Sequence, residues 1–176
     1  MTPSRDALAT VIGLREQVMH AQRPELAPEF MHPQINVTRT GMSGAVAYLA
    51  GLGGDDHDDA GTYESITEDR LKRFEVSFRE VLKSFPDMRH EVIGPELTDG
   101  ETVISHIKFH ATHEGDFRGV PATHKKIEFD EVVVHKVVDG LVTEVWAFGD
   151  ELSLLQQLGV LPATAPSNEI GARDDR

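Results

Sequence analysis

Asp150 stands where an apolar strand, Leu141 to Phe148, gives way to a helix beginning at Glu151. His135 lies one strand earlier, across the tight turn Asp139-Gly140. A carboxylate and an imidazole brought together at the apolar end of a sheet are suited to moving protons on a small organic molecule. The carboxyl serves as a base near neutral pH only if it is shielded from water, because desolvation raises its pKa. Trp146 and Phe148 share its strand parity and are expected to supply apolar walls. Asp is also favoured as a helix N-cap, and capping does not exclude catalysis. His135 sits among Val132, Val133, Val134 and Val137. It reads either as a core or surface histidine of the sheet, or as a proton donor that steadies a developing enolate oxygen.

Other residues are weighed in the same way. His106, His110 and His113 suggest a metal cluster, but their segment, opening Thr102-Val103-Ile104-Ser105, reads as a strand. Residues four apart on a strand are separated by about 13 Å, whereas zinc needs nitrogens about 2 Å from one ion. His106 and His110 share one face and are expected to line a pocket instead. Asp55-Asp56-His57-Asp58-Asp59 lacks calcium-loop spacing and reads as a solvated loop. No phosphate loop, nucleophile elbow or dinucleotide fingerprint occurs. Neither a cofactor nor a metal is expected.

These residues need a scaffold. The 176 residues suffice for one domain with a sizeable core. The formal charge of -13 disfavours nucleic acid and anionic membranes as partners. There is no cysteine, which excludes disulfides, thiolate zinc sites and cysteine nucleophiles. No stretch approaches the roughly 20 apolar residues that span a bilayer, and the N-terminal residues lack a signal-peptide core. A cytoplasmic protein is expected.

Leu8, Val11, Ile12, Leu14, Val18 and Met19 predict an amphipathic helix over Ser4 to His20. A short helix is expected over Glu25 to Met31 and a short strand over Gln34 to Thr40. Residues 41–63 read as a loop insertion, with a helical turn at Ala45 to Leu49 and a glycine-rich acidic stretch consistent with a lid. A longer helix opens near Thr67, presents Leu71, Phe74, Phe78, Val81 and Leu82, and stops at Pro86. Strands follow at Met88 to Leu97, Thr102 to His113, Lys126 to Val138 and Leu141 to Phe148, then a helix at Glu151 to Leu158 and a loose tail from Ala163. Helices followed by an antiparallel meander indicate an α+β fold. A long sheet covered by few helices tends to curl around them and leave a pocket. Phe74 and Phe78 would wall it.

Several pieces together resemble one family. They are Phe85-Pro86-Asp87-Met88-Arg89; Ala111-Thr112-His113-Glu114-Gly115 with Gly119-Val120-Pro121-Ala122-Thr123; Ile127-Glu128-Phe129; Glu144-Val145-Trp146; and Asp150 with Leu154-Leu155-Gln156-Gln157-Leu158-Gly159. From Phe85 to Pro162 the chain resembles the SnoaL-like polyketide cyclases, within the nuclear-transport-factor-2-like superfamily of cone-shaped α+β domains. The resemblance implies a curved antiparallel sheet packed on N-terminal helices, with one domain over residues 1–162. It implies cofactor-free acid/base chemistry, an aldol closure or isomerisation of a small, hydrophobic, polyketide-like carbonyl compound. By position the family's Asp base and helping His map onto Asp150 and His135. A homodimer paired through the open sheet face is expected. Two departures bear on the substrate and the chemistry: the 41–63 segment, and Ala147 where relatives carry a second acid beside the Trp. Another reaction on the same scaffold (hydroxylation support, dehydration, epoxide opening) and a non-catalytic binding module remain alternatives.

Overall fold

A computed structural model describes residues 6–40 and 69–162. The expected 41–63 insertion and the tail from Ala163 lie outside the described residues. The fold is α+β: a curved six-stranded sheet against N-terminal helices.

The first helix, α1, spans Ala7–Gly13 and is capped by Asp6, whose carboxylate accepts from the Ala9 N–H at 2.7 Å. It does not run on as one α-helix to His20. Leu14–His20 widens into a π-helical segment. The wider turn keeps Leu14 and Val18 in the core while sending Arg15 to Glu96. A 3-10 segment, Pro24–Glu29, then leads into β1, Met31–Thr40. The long helix α2 spans Arg70–Ser84, with Asp69 as its N-cap. The single strand expected over Met88 to Leu97 is two, β2 Arg89–Val92 and β3 Leu97–Thr98. Gly94, with φ of 78°, and Pro95, which has no N–H, interrupt the ladder between them. β4 Thr102–Thr112, β5 Lys126–Val138, β6 Leu141–Gly149 and α3 Glu151–Leu158 follow. Asp139 and Gly140, at φ of 52° and 78°, form the turn that joins β5 to β6.

Strand order is β1-β6-β5-β4-β2, with β3 beside β4; β1 pairs with β6 in parallel and the other pairs are antiparallel. Odd-numbered residues of β4 and β5 point to the helices and form the concave face, as their alternating burial shows. Two apolar clusters lie at the two ends of that face. One gathers Phe78, Phe85, Phe109, Phe117, Phe129 and Leu154. The other gathers Val11, Val18, Phe30, Met31, Val103 and Val142. Phe74 packs against both, and its ring stacks on Phe78 at 5.9 Å.

The C-terminal end of α2 is clamped to the connection after β4. The N–H groups of Glu114 and Gly115 donate to the Ser84 carbonyl, and the Ser84 hydroxyl donates to the Asp116 carbonyl. A Cβ on Gly115 would lie 2.3 Å from the Lys83 carbonyl oxygen, which is backbone and cannot swing aside. Gly115→Ala is therefore expected to cost about 1–3 kcal/mol. Urea unfolding should show a lower midpoint with an unchanged m-value, and a wild-type midpoint would show that the clamp is not tight.

Candidate active site on the concave face

Strand pairing sets the concave face out in rows. Val145, His135 and Val103 lie side by side; the next row holds Arg39, Ala147, Val133 and Ser105; the next holds Gly149, Glu131, Ile107 and Val92; the last holds Phe129, Phe109 and His90. Polar side chains thus occupy the band between the two apolar clusters, around Ile107, Val133 and Ala147. Charge is admitted to such a band only when it is paired.

Two paired sets are present. In the first, Arg15 grips the Glu96 carboxylate with both terminal nitrogens, at 2.8 and 3.2 Å, and the Ser105 hydroxyl donates to the same carboxylate at 2.6 Å. Burial alone would raise the Glu96 pKa, but these donors and the Arg15 charge hold it below its ordinary value. In the second, Arg39 is ion-paired with Glu131, which is only 3% exposed. Burial brings the Arg39 guanidinium down to about 10, with Glu151 opposing and Arg118 reinforcing, so it stays a cation at neutral pH.

His135 faces this band beside the first set. Its Nδ1 is buried without a hydrogen-bond partner. Burial holds its pKa down to about 4; the Glu96 charge opposes this and Arg15 adds to it. The imidazole is therefore neutral at pH 7. His90 is a second neutral imidazole, also at about 4, first through burial and then through His20, Arg39 and Arg15. His20 props it: His20 Nε2 accepts from the His90 backbone N–H at 3.1 Å, and the two rings stack.

The structure does not bring Asp150 to His135. Asp150 is exposed and caps α3, its carboxylate accepting from the Ser153 N–H at 3.0 Å. It follows Gly149 of the concave face, so strand alternation turns it away. The shielding that a carboxylate base requires is absent there, which corrects the expected burial. Trp146 and Phe148 keep the expected common parity, but on the convex face; Phe148 is 49% exposed. His106 and His110 also share a face, again the convex one. His106 lies 3.6 Å from Asp130, and His110 is 3.0 Å from Glu91 and 3.6 Å from Glu128. His113 is fully buried instead, with Nδ1 accepting from the Thr123 N–H at 3.3 Å. Phe74 and Phe78 lie on the core side of α2 as expected.

Sequence reasoning did not single out Arg15, Arg39, His90, Glu96, Ser105, Glu131 or Glu151. Glu131 had a signal: it interrupts the apolar alternation Ile127, Phe129, Val133 at the same parity. A recess of about 300 Å³ between Asp6, Glu101 and Gly140 lies at the β5–β6 turn and holds none of these groups.

His90 and His135 set a pH dependence, and His113, which burial also lowers, adds to it in the same direction. The unfolded chain protonates His90 and His135 as pH falls through about 6.5, while the folded chain resists until about 4. The unfolded state binds more protons across that window, so stability falls as pH falls from about 6.5 to about 4. Urea midpoints across that window should decline less steeply in His135→Asn than in the wild type, and identical slopes would show that His135 is not buried as a neutral ring. Asp150→Ala should cost about 1 kcal/mol as a lost cap and Asp150→Asn much less, measured by the same unfolding curves.

The family model of the SnoaL-like polyketide cyclases matches residues 57–158. No curated protein matches the chain significantly. Among solved structures, it resembles a proposed SnoaL-like polyketide cyclase from Jannaschia sp. CCS1, with 17% identity and a TM-score of 0.67 over 92% of this chain and 98% of that one. IdmH, a proposed polyketide cyclase from Streptomyces antibioticus, shares 24% identity with a TM-score of 0.63, covering 85% of this chain and 96% of its own. AclR, a proposed hydroxylase from Streptomyces galilaeus, shares 22% with a TM-score of 0.61, covering 91% and 82%. At these identities the solved structures speak to the fold alone, while the family model reaches across more than half of the sequence, including β4, β5, β6 and α3 that carry most of the concave face. The chain belongs to the SnoaL-like polyketide cyclase family.

Proposed function

We propose that the chain is a cofactor-independent acid/base enzyme of the cyclase or isomerase type, acting on a small polyketide-like carbonyl compound. The substrate lies on the concave face over Val133 and Ala147, with His135 towards one end and Arg39 towards the other. Ala147 leaves the middle of that floor apolar. Phe74, which packs against both apolar clusters, and Phe78, in one of them, bound this floor from α2. The neutral imidazole of His135 donates a hydrogen bond to the substrate's carbonyl oxygen. It stabilises the charge that this oxygen gains when the neighbouring carbon loses its proton. A neutral donor suits this role, because it keeps its proton throughout.

The observation that carries this reading is the unused imidazole. An inward-facing ring held neutral, with a buried nitrogen bonded to no protein group, costs stability. His113 also leaves one buried nitrogen, Nε2, without a partner, but its Nδ1 is bonded to Thr123 and its ring lies against Phe85 in the aromatic cluster, whereas His135 stands on the polar band. The test is exchange of the carbon-bound proton of a panel of polyketide methyl esters in deuterated water, followed by NMR. His135→Gln should lower the exchange rate about a hundredfold, the size expected for one oxyanion donor. Wild-type exchange by a folded variant, or esters bound and recovered unexchanged, would overturn it in favour of a binding module.

We also propose that two copies pair through the convex face. Ile104, Val134 and Trp146 lie side by side there, as do Val132 and Phe148, all with exposed or half-buried apolar surface. Phe148→Lys should convert a dimer to a monomer in light scattering. Identical masses for the two proteins would exclude this face.

A further inference from the structure

The carboxyl that Asp150 was expected to supply occurs one residue later. Glu151 opens α3, and its Oε1 is buried and accepts no hydrogen bond. Arg39 and Arg118 lie near enough to attract it. Glu131 completes the cluster: it is ion-paired with Arg39, and its Oε1 lies 3.3 Å from where a Cβ on Gly149 would stand, two residues before Glu151. An acid in the first turn of a helix is ordinary, because the helix dipole favours it there. That explains a solvated carboxylate, not an oxygen withdrawn from water and left without a donor.

Resting on the acid/base reading above, we propose that Glu151 is the proton-transferring carboxyl of this site, with Arg39 as the cation facing it and Glu131 as the counter-charge that fixes Arg39. The ionised Glu151 removes a proton from the carbon beside the substrate carbonyl. The C–H pair becomes the carbon–carbon double bond of an enolate, and the charge passes to the carbonyl oxygen. Glu151, now protonated, returns the proton to the product. Burial raises the Glu151 pKa while Arg39 and Arg118 restrain the rise, which makes this carboxyl a stronger base than a solvated one. The groups that face it are Arg39 from β1, Arg118 from the β4–β5 connection and Glu131 from β5.

The test uses 5-nitrobenzisoxazole, which reports a desolvated carboxylate without knowledge of the natural substrate. The carboxylate takes the ring C–H proton, the electron pair forms the nitrile, and the N–O bond breaks to release a phenolate. Wild-type protein should accelerate the opening, with a rate that rises with pH through the Glu151 midpoint. Glu151→Gln should lose about a hundredfold, and Glu144→Gln, on the other face of β6, nothing. Carbon-13 NMR of glutamate carboxyls should show one midpoint above the ordinary range that vanishes in Glu151→Gln. An ordinary midpoint for Glu151, or full activity in Glu151→Gln, overturns the proposal. If His135→Gln or Asp150→Asn loses activity while Glu151→Gln keeps it, this assignment fails and the acid/base reading stands. If the wild type neither opens the probe nor exchanges the esters, both fail.

Discussion

An ion inside a low-dielectric fold must be matched, and the matching in this chain is uneven. Glu96 has three donors from Arg15 and Ser105, so nothing is left for it to do but hold Arg15 and the turn before β3. Arg39 and Glu131 match each other. On this band two buried polar atoms among the described residues are left over, the Nδ1 of His135 and the Oε1 of Glu151. A third unpartnered atom, Nε2 of His113, sits among Phe85 and Phe117 at the clamp below α2. A buried polar group without a partner costs of order 1–3 kcal/mol. Carrying two of them on the face that the helices enclose is intelligible if a bound molecule completes them.

The fold keeps these groups in place by separating them from its own stabilisation. The apolar clusters that hold the cone together lie at either end of the sheet, and Phe74 of α2 joins them. Between them the sheet buries Ile107, Val133 and Ala147 in a small third cluster, with Val92 and Val145 packed against it. The polar side chains of this band are anchored in strands or by bidentate pairing, so their positions are set by backbone rather than by loops. Such a division lets the middle of the face vary in chemistry while the ends keep the architecture, as expected where one fold serves many reactions.

Much of this was legible in the sequence because strand alternation and turn chemistry are local. Lys126 to Val138 and Glu151 to Leu158 follow from hydrophobic period, from the Asp139-Gly140 turn and from the glycine stop at Gly159. The face was harder. Val132, Val133 and Val134 give β5 apolar residues on both sides, so the run alone does not tell inward from outward. On β6 the larger residues, Trp146 and Phe148, invite an inward assignment, yet the sheet turns Val145 and Ala147 to the helices. Once that parity is inverted, His106 and His110 go outward with them, while His135 and Glu131 go inward. The Arg15–Glu96 pair bridges 81 positions and depends on the widened turn after Gly13, which no local pattern announces.

The difference between Asp150 and Glu151 shows how narrow the margin is. Both follow the last strand residue of the concave face, and both are carboxylates at the start of one helix. The Asp side chain is short enough to bend back to the Ser153 N–H, and the helix begins because it does. That commitment fixes Asp150 in solvent. The helical turn it starts then rotates the next residue by about 100°, away from the capping position and towards Arg39. Glu has one more methylene than Asp, which carries its carboxyl off the helix rim and into the band. An Asp at the cap and a Glu beside it therefore divide two tasks that one carboxylate cannot perform together. The first needs a carboxylate in water bonded to backbone, the second one with an oxygen buried and left without a donor.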